Sequence, residues 1–182
     1  CYDAAINLKP SDGQIKGYLD ELQEMMYYNN DKNIVLSLSG EADVVKKTPI
    51  EVIQEAIIEI QKKYNANVFL IPTGCGAHCK DIEFLDQIQK NVKNTRITII
   101  KKEFTPEDLV YFLSNVEVII SSRLHLNIFG ACSNTPSIGL VRNSKIIDFA
   151  NLIHNPYIPL ENLSKNELIK AVDLVITNRE HY

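Results

Sequence analysis

Residues 116–132, VEVIISSRLHLNIFGAC, place a short apolar run directly before a run of helical character, with the polar motif SSRLH at 121–125 between them. The first run is rich in Val and Ile, as a strand buried on both faces would be. The start of a buried helix needs a single capping side chain, so two hydroxyls, a guanidinium and an imidazole exceed what structure alone requires. The stretch therefore predicts a strand, a functional turn and a helix, in that order.

The same alternation of short apolar runs and longer helical runs occurs along the rest of the chain. Four further candidate strands are NIVLSLS at 33–39, NVFLIP at 67–72, RITII at 96–100 and PSIGLV at 136–141. This pattern is typical of stacked βαβ units, in which helices cover both faces of a parallel sheet. We therefore predict an α/β fold with a three-layer, Rossmann-like parallel sheet.

The segments between the strands carry helix start signals. Thr48 is expected to cap a helix that has Pro49 at its first position, and Thr105 is expected to form a capping-box pair with Asp108 around Pro106. Further helices are expected at 11–30, 81–92 and 164–182.

The composition is that of one soluble domain and excludes several classes of function. The 182 residues are 45% hydrophobic and 23% charged, with a net charge of −4. Lys and Arg are scattered singly, which argues against a nucleic-acid partner, and no apolar run is long enough to span a membrane. The start CYDAAINLKP has neither Met nor a signal-peptide pattern, so we expect a fragment of a longer protein. Four cysteines do not make a disulfide scaffold, and a reducing cytoplasm is the expected location.

The stretch CGAHCK at 75–80 offers three soft metal ligands, Cys75, His78 and Cys79. A second ligand pair at suitable spacing is missing, so we predict no metal here. The loop follows a candidate strand, and Gly74 and His78 are instead candidates for lining a ligand cleft.

The expected fold selects the loops that would bind a ligand. In such sheets ligands bind beyond the carboxyl ends of the strands, near the point where the strand order reverses. The loops at that edge are 39–41, 73–76, 101–102, 121–123 and 142–145.

SSRLH has the properties of an anion site, because it ends a strand and opens a helix whose first N–H groups are free. Ser122 is expected to be the N-cap, and Ser121 adds a second hydroxyl. Arg123 can donate two parallel hydrogen bonds to a phosphate or carboxylate. His125 is expected near the third helical position, as a proton donor beside the anion. The alternative is that Arg123 pairs with a surface carboxylate.

The motif has a second structural interpretation. His125 shares a helical face with Ile128, Phe129 and Cys132, and a buried imidazole needs only one good partner. Under this alternative His125 is a core residue.

The next helix start carries cations that the helix dipole disfavours. Lys145 stands at the beginning of that helix, capped by Asn143 or Ser144, and Arg142 is close by. An anionic ligand between the two helix starts would explain these cations, and the alternative is that both side chains reach solvent.

Residues 104–149 resemble the C-terminal region of polysaccharide pyruvyl transferases. The stretches VFLIP at 68–72, DIEFLDQI at 81–88 and YDAAINLKP at 2–10 are also similar to that family. The residues that fall on the family pattern are Ser122, Arg123, His125, Phe129, Pro136, Lys145 and Phe149.

The resemblance implies a two-domain fold like that of B-type glycosyltransferases, with 1–10 a remnant of the interdomain segment and 11–182 the C-terminal domain. It implies transfer of a pyruvyl group from phosphoenolpyruvate to two hydroxyls of a sugar, with release of phosphate and no metal or organic cofactor. His125 would then be the general acid, and Arg123 and Lys145 would hold phosphate or carboxylate. The sugar would bind against the N-terminal domain.

One departure from the family concerns the end of the first strand, where members often carry Arg and this chain has Ser39 and Gly40. Lys46 or Lys47 would have to substitute, although a point charge does not replace a planar fork. Two other functions stay open, a nucleotide-sugar-dependent glycosyltransferase and a noncatalytic glycan- or anion-binding domain. Dinucleotide binding is not expected, since GCGAHC at 74–79 has two glycines and follows the second strand.

Overall fold

The computed structural model describes residues 26, 32–73, 80–92, 96–101 and 103–181. Within these ranges the chain forms six strands, β1 (Lys32–Ser37), β2 (Ala66–Leu70), β3 (Ile97–Ile99), β4 (Val118–Ser121), β5 (Ser137–Val141) and β6 (Tyr157–Pro159). They build one sheet in the order β3-β2-β1-β4-β5-β6, and every neighbouring pair is parallel. The five predicted strands are confirmed.

Seven α-helices lie in the described part of the chain, and most connect consecutive strands. They are α1 (Ala42–Lys47), α2 (Ile50–Tyr64), α3 (Lys80–Asn91), α4 (Pro106–Leu113), α5 (Leu124–Cys132), α6 (Ser144–Leu152) and α7 (Lys165–Thr177). Short 3₁₀ turns occupy Leu160–Asn162 and Arg179–His181.

Helices cover both faces of the sheet, because side chains along each strand point alternately to either side. Ile34 and Leu36 of β1 belong to the core that includes residues of α2, α3 and α7. Val35 between them belongs to the opposite core, formed with residues of α4 and α5. In that second core the rings of Phe69 and Phe112 meet edge to face at 5.5 Å. Each fully buried side chain of this size contributes about 1.5–3 kcal/mol. The two cores, one on each face of the sheet, confirm the predicted three-layer architecture.

The strand order reverses between β1 and β4, at the centre of the sheet. Ser37 at the end of β1 lies opposite Ser121 at the end of β4. The connections leave these two strands in opposite directions along the sheet, which opens a crevice at their carboxyl ends.

At the starts of α2, α4 and α7, one predicted cap is present, one is absent, and one cap was not predicted. Thr105 caps α4, its hydroxyl accepting from the Asp108 N–H at 3.2 Å, and Ser164 caps α7 in the same way. The prediction that Thr48 caps α2 is wrong, because Pro49 is the N-cap and Thr48 ends the preceding helix α1. That helix has only six residues and was not predicted.

The expected opening helix at 11–30 lies outside the described residues, apart from Met26, which is helical and buried. None of the helices in the described ranges is both long enough and apolar enough to cross a membrane.

Candidate functional site

The loops after β1 and β4 are joined by hydrogen bonds at the crevice. The Ser122 N–H donates to the Ser37 carbonyl at 3.0 Å, and the Ser39 N–H donates to the Ser122 hydroxyl at 2.8 Å. Ser39 and Ser122 are fully buried. The polar residues that end the two central strands therefore hold the two loops in one fixed arrangement.

Ser121 shapes the turn into α5. Its hydroxyl accepts from the Arg123 N–H at 2.9 Å and donates to the Arg123 carbonyl at 3.1 Å. The N-cap of α5 is Arg123, with extended backbone angles and no capping side chain, so the prediction of Ser122 as N-cap is wrong. The physical reason is that the Ser122 hydroxyl is used by Ser39 across the sheet. Direct contact of Ser121 and Ser122 with an anion stays a prediction, which their complete burial disfavours.

The Arg123 guanidinium forms an ion pair with a buried carboxylate. Its Nη2 lies 2.6 Å from Oδ1 of Asp81, whose side chain is 2% exposed. The same oxygen accepts from the Gly40 N–H at 2.7 Å. Asp81 lies in the first turn of α3, so one carboxylate ties together the loop after β1, the start of α3 and the loop after β4.

Arg123 and Arg142 converge on a second carboxylate, that of Glu41. Oε1 of Glu41 accepts from Nη1 of Arg123 at 3.2 Å, and Oε2 accepts from Nη2 of Arg142 at 2.5 Å. The hydrogen bond from Arg142, together with the charges of both arginines, holds the pKa of Glu41 below its usual value. The alternative that Arg123 pairs with a surface carboxylate is thus confirmed, and the same contact shows that the two guanidiniums can share one anionic group.

A guanidinium also lies at the end of β1, although the chain has no Arg there. Nη1 of Arg142 donates to the Ser39 hydroxyl at 3.2 Å. Lys46 and Lys47, the expected substitutes, are exposed in the last turn of α1. Arg142 comes from the loop after β5, so a neighbouring strand supplies a planar fork at this position.

His125 and Lys145 are exposed at the same edge of the sheet. His125 is the second residue of α5, one position earlier than expected, and the alternative of a buried core imidazole is wrong. Lys145 is the second residue of α6, and Asn143 is the N-cap without a side-chain hydrogen bond. Both side chains therefore lie at the surface, at the carboxyl edge of the sheet.

Gly74 and His78, with Cys75 and Cys79, lie outside the described residues, and their assignments stay predictions. In the part of the chain that is described, no group of three or more His, Cys, Asp or Glu side chains is placed to hold a metal ion.

The sequence did not single out Asp81 or Glu41 as site residues. Asp81 has the ordinary signal of an acidic residue in a first helical turn, which the helix dipole explains without a partner. Glu41 lies in the loop 39–41, which the rule on carboxyl strand ends did select. A search of those loops for a carboxylate that matches the predicted arginines would have found it.

The comparison with protein families gives one match, in which the family described as Polysaccharide pyruvyl transferase covers residues 2–144. No curated protein sequence matches the chain.

Solved structures resemble the fold at low sequence identity. UDP-GlcNAc 2-epimerase from Methanocaldococcus jannaschii has a TM-score of 0.66 at 20% identity, over 90% of this chain and 44% of that chain. Sucrose-phosphate synthase from Thermosynechococcus elongatus has a TM-score of 0.66 at 14% identity, over 100% of this chain and 43% of that chain. ADP-heptose LPS heptosyltransferase II from E. coli has a TM-score of 0.59 at 13% identity, over 84% of this chain and 48% of that chain. The described fold is thus that of one half of a two-domain, B-type glycosyltransferase architecture, and the chain spans under half the length of these proteins.

Proposed function

The chain belongs to the polysaccharide pyruvyl transferase family, and on that premise we propose that it is part of an enzyme that transfers a pyruvyl group from phosphoenolpyruvate to a sugar of a cell-surface polysaccharide. The observation that carries the proposal is the convergence of Arg123 and Arg142 on one carboxylate at the central crevice. His125 is exposed in the helical turn that begins at Arg123. Anion binding and proton donation are the two abilities that this transfer needs.

The donor fits the charges at this edge. Phosphoenolpyruvate carries a carboxylate and a phosphate close together, and planar guanidiniums bind both groups in bidentate fashion. In our proposal Arg123 and Arg142 hold one of these groups, and Lys145 on the next helix start faces the other. The first N–H groups of α5 and α6 add positive potential at the same edge.

His125 is proposed to start the chemistry as the general acid. It donates a proton to the methylene carbon of phosphoenolpyruvate, which becomes a methyl group, and positive charge develops on the central carbon. One sugar hydroxyl bonds to that carbon, and a second displaces the phosphate, which leaves with the electrons of its bond to carbon. One hydroxyl proton restores the histidine and the other leaves with the phosphate, so a cyclic ketal and phosphate are the products. This scheme uses no metal or organic cofactor.

The sugar acceptor is proposed to bind between this chain and a further domain of the same protein. The chain spans under half the length of its structural neighbours, whose folds have two halves. We place it as the C-terminal half and expect that this half alone turns over no substrate. Phosphoenolpyruvate is a cytoplasmic metabolite, so we propose a cytoplasmic enzyme.

A nucleotide-sugar donor is the second candidate. Two of the similar structures are described as a UDP-GlcNAc 2-epimerase and an ADP-heptose heptosyltransferase, so this fold does accommodate nucleotide sugars. Their identities to this chain of 20% and 13% are too low to transfer a substrate.

The test compares phosphoenolpyruvate, UDP-GlcNAc and phosphate as stabilising ligands of the chain in thermal denaturation. A ligand that binds only the folded state raises the apparent stability. We expect a shift with phosphoenolpyruvate and its loss in Arg123→Ala, which should cost about 1.5–3 kcal/mol of binding free energy as a charge-assisted hydrogen bond does. Arg179→Ala, which removes a guanidinium paired with Glu117, is the control. A shift with UDP-GlcNAc alone would favour the glycosyltransferase, and binding without phosphate release by the full two-domain protein would indicate a noncatalytic domain.

A further inference from the structure

The carboxylate of Glu41 contacts both guanidiniums of the predicted anion site. Each of its two oxygens accepts from a different guanidinium, Oε1 from Arg123 and Oε2 from Arg142. A phosphate or carboxylate of a ligand that used both guanidiniums would compete for the same N–H groups. Such a ligand would therefore displace the Glu41 carboxylate from these two nitrogens.

The two carboxylates around Arg123 differ in how firmly they are held. Asp81 is 2% exposed and also accepts from the Gly40 N–H, so its removal from Arg123 would disturb buried structure. Glu41 is 49% exposed. Displacing the side chain of Glu41 exposes no core, whereas Asp81 stays in place and keeps Arg123 oriented.

The local backbone also leaves the side chain of Glu41 free to move aside. Glu41 is the N-cap of α1, but its carboxylate makes no capping hydrogen bond. The next two residues, Ala42 and Asp43, are exposed. Rotation of the Glu41 side chain toward solvent therefore breaks its two arginine contacts and no helical ones.

From these contacts we infer that Glu41 is an internal competitor that sets the affinity of the anion site, so that a ligand binds when its own anion displaces the Glu41 carboxylate from Arg123 and Arg142. The inference rests on the anion site of the proposed function, but it does not depend on which anion is the substrate. It assigns Glu41 a role in binding, separate from the proton donor His125.

The test uses sulfate, because its charge of −2 is constant across the neutral range and it has no chemistry to perform. Sulfate affinity is measured by isothermal titration calorimetry at low and fixed ionic strength for the unchanged chain and for Glu41→Gln. Each exposed ion pair is worth up to about 1 kcal/mol, so removal of both should tighten sulfate binding by about 5- to 30-fold. Gln keeps the size of the side chain and, at an exposed position, leaves the fold intact.

Two further variants locate the effect. Glu107→Gln removes a negative charge from another exposed helix start, in the first turn of α4, and should leave the affinity unchanged. In the double variant with Arg123→Ala, the gain from Glu41→Gln should disappear. Together these controls separate direct competition from a general change in net charge.

Each result decides the inference. Equal or weaker sulfate binding by Glu41→Gln overturns it, as does a gain that persists without Arg123 or that Glu107→Gln reproduces. Absence of sulfate binding by both the unchanged chain and Glu41→Gln would overturn the anion site as well. A gain that depends on Arg123, in a full-length protein that transfers no pyruvyl group, would uphold the competitor and refute only the proposed reaction.

Discussion

Asp81 and Arg123 form a largely buried ion pair across the crevice, with 2.6 Å between Oδ1 and Nη2, although they are 42 positions apart in the chain. Because Asp81 also accepts from the Gly40 N–H, the pair connects the loop after β1, the start of α3 and the loop after β4. Asp81 therefore orients the Arg123 guanidinium without needing to contact a ligand.

Replacing Asp81 with Asn should destabilise the fold by about 1.5–3 kcal/mol, the range for a hydrogen bond to a charged group. Asn keeps the shape and can still accept from Gly40, but it does not compensate the charge of Arg123. Urea denaturation measures the free energy of unfolding. Glu83→Gln removes an exposed carboxylate from the same helical turn and should cost less than about 0.5 kcal/mol. Equal costs for the two variants would contradict a special role for Asp81.

Gly40→Ala should be among the most destabilising single-methyl additions in the chain. A Cβ at Gly40 would lie 2.1 Å from the Lys80 carbonyl oxygen and 2.6 Å from the Asp81 nitrogen, and backbone atoms cannot move aside as a side-chain tip can. We expect a loss of about 3 kcal/mol or more, the upper end for overpacking.

Gly130→Ala is the matched control for that substitution. Its Cβ would lie 2.7 Å from Cδ1 of Ile119, the end of a side chain, and 3.1 Å from the Thr135 carbonyl oxygen, so its closest contact is less rigid than the backbone contacts of Gly40. Thermal denaturation should therefore rank Gly40→Ala as the less stable variant. The opposite order would show that the start of α3 shifts easily, and that Gly40 is not needed for its close approach.

His125→Gln should leave stability within about 0.5 kcal/mol, because the side chain is exposed. In the full two-domain protein it should lower phosphate release from phosphoenolpyruvate by roughly 10²–10⁴-fold, the usual contribution of a general acid. His181→Gln, at an exposed histidine in the closing 3₁₀ turn, should have normal turnover. Near-normal turnover by His125→Gln would remove His125 from the proposed mechanism.

Glu41 should make the free energy of unfolding depend on pH in the acidic range. The hydrogen bond from Arg142, with the charges of Arg142 and Arg123, lowers its pKa below the ordinary value of 4.5. Its stabilising contribution is then fully present above about pH 4.5 and is lost as the pH falls through the lowered pKa of the folded state. The acidic groups that also face Arg142 are Asp43 and Asp81.

The measurement is the urea midpoint of the unchanged chain and of Glu41→Gln between about pH 3 and pH 7. The difference between the two proteins should be constant above pH 5 and should shrink toward acid, since Gln does not titrate. A difference that stays the same down to pH 3 would show that the arginine contacts of Glu41 contribute nothing to its titration.

The central strands could be predicted because the residue pattern that favours them lies within each strand. The run at residues 118–120 is apolar and β-branched at successive positions, and residues 34–36 are apolar at successive positions, as a parallel strand covered on both faces requires. β6 was not predicted because its three residues include Pro159 and follow Pro156. Proline cannot donate to a ladder, and it is tolerated at this edge of the sheet.

The sequence singled out the basic side chains of the candidate site and missed its carboxylates. Arg142 and Lys145 stood out because a cation near a helix start is locally unfavourable, and Arg123 and His125 because SSRLH has more polar side chains than a helix cap needs. Asp81 and Glu41 look locally ordinary, and their importance comes from partners on distant loops. The failed N-cap at Ser122 has the same cause, since Ser39 uses its hydroxyl from across the sheet.

The adjacency of β1 and β4 also predicts an order of folding events. Ser39 and Ser122 are 83 positions apart, while β1, β2 and β3 follow one another in the chain with helical crossovers between neighbouring strands. Contacts between distant segments form late, because the entropy of closing the long loop is lost before the contact is gained. A growing chain that has emerged from the ribosome only as far as β3 has one half of the sheet and neither Arg123 nor Arg142. The step that joins the two halves of the sheet is thus also the step that creates the crevice, so the proposed anion site would form only at that step.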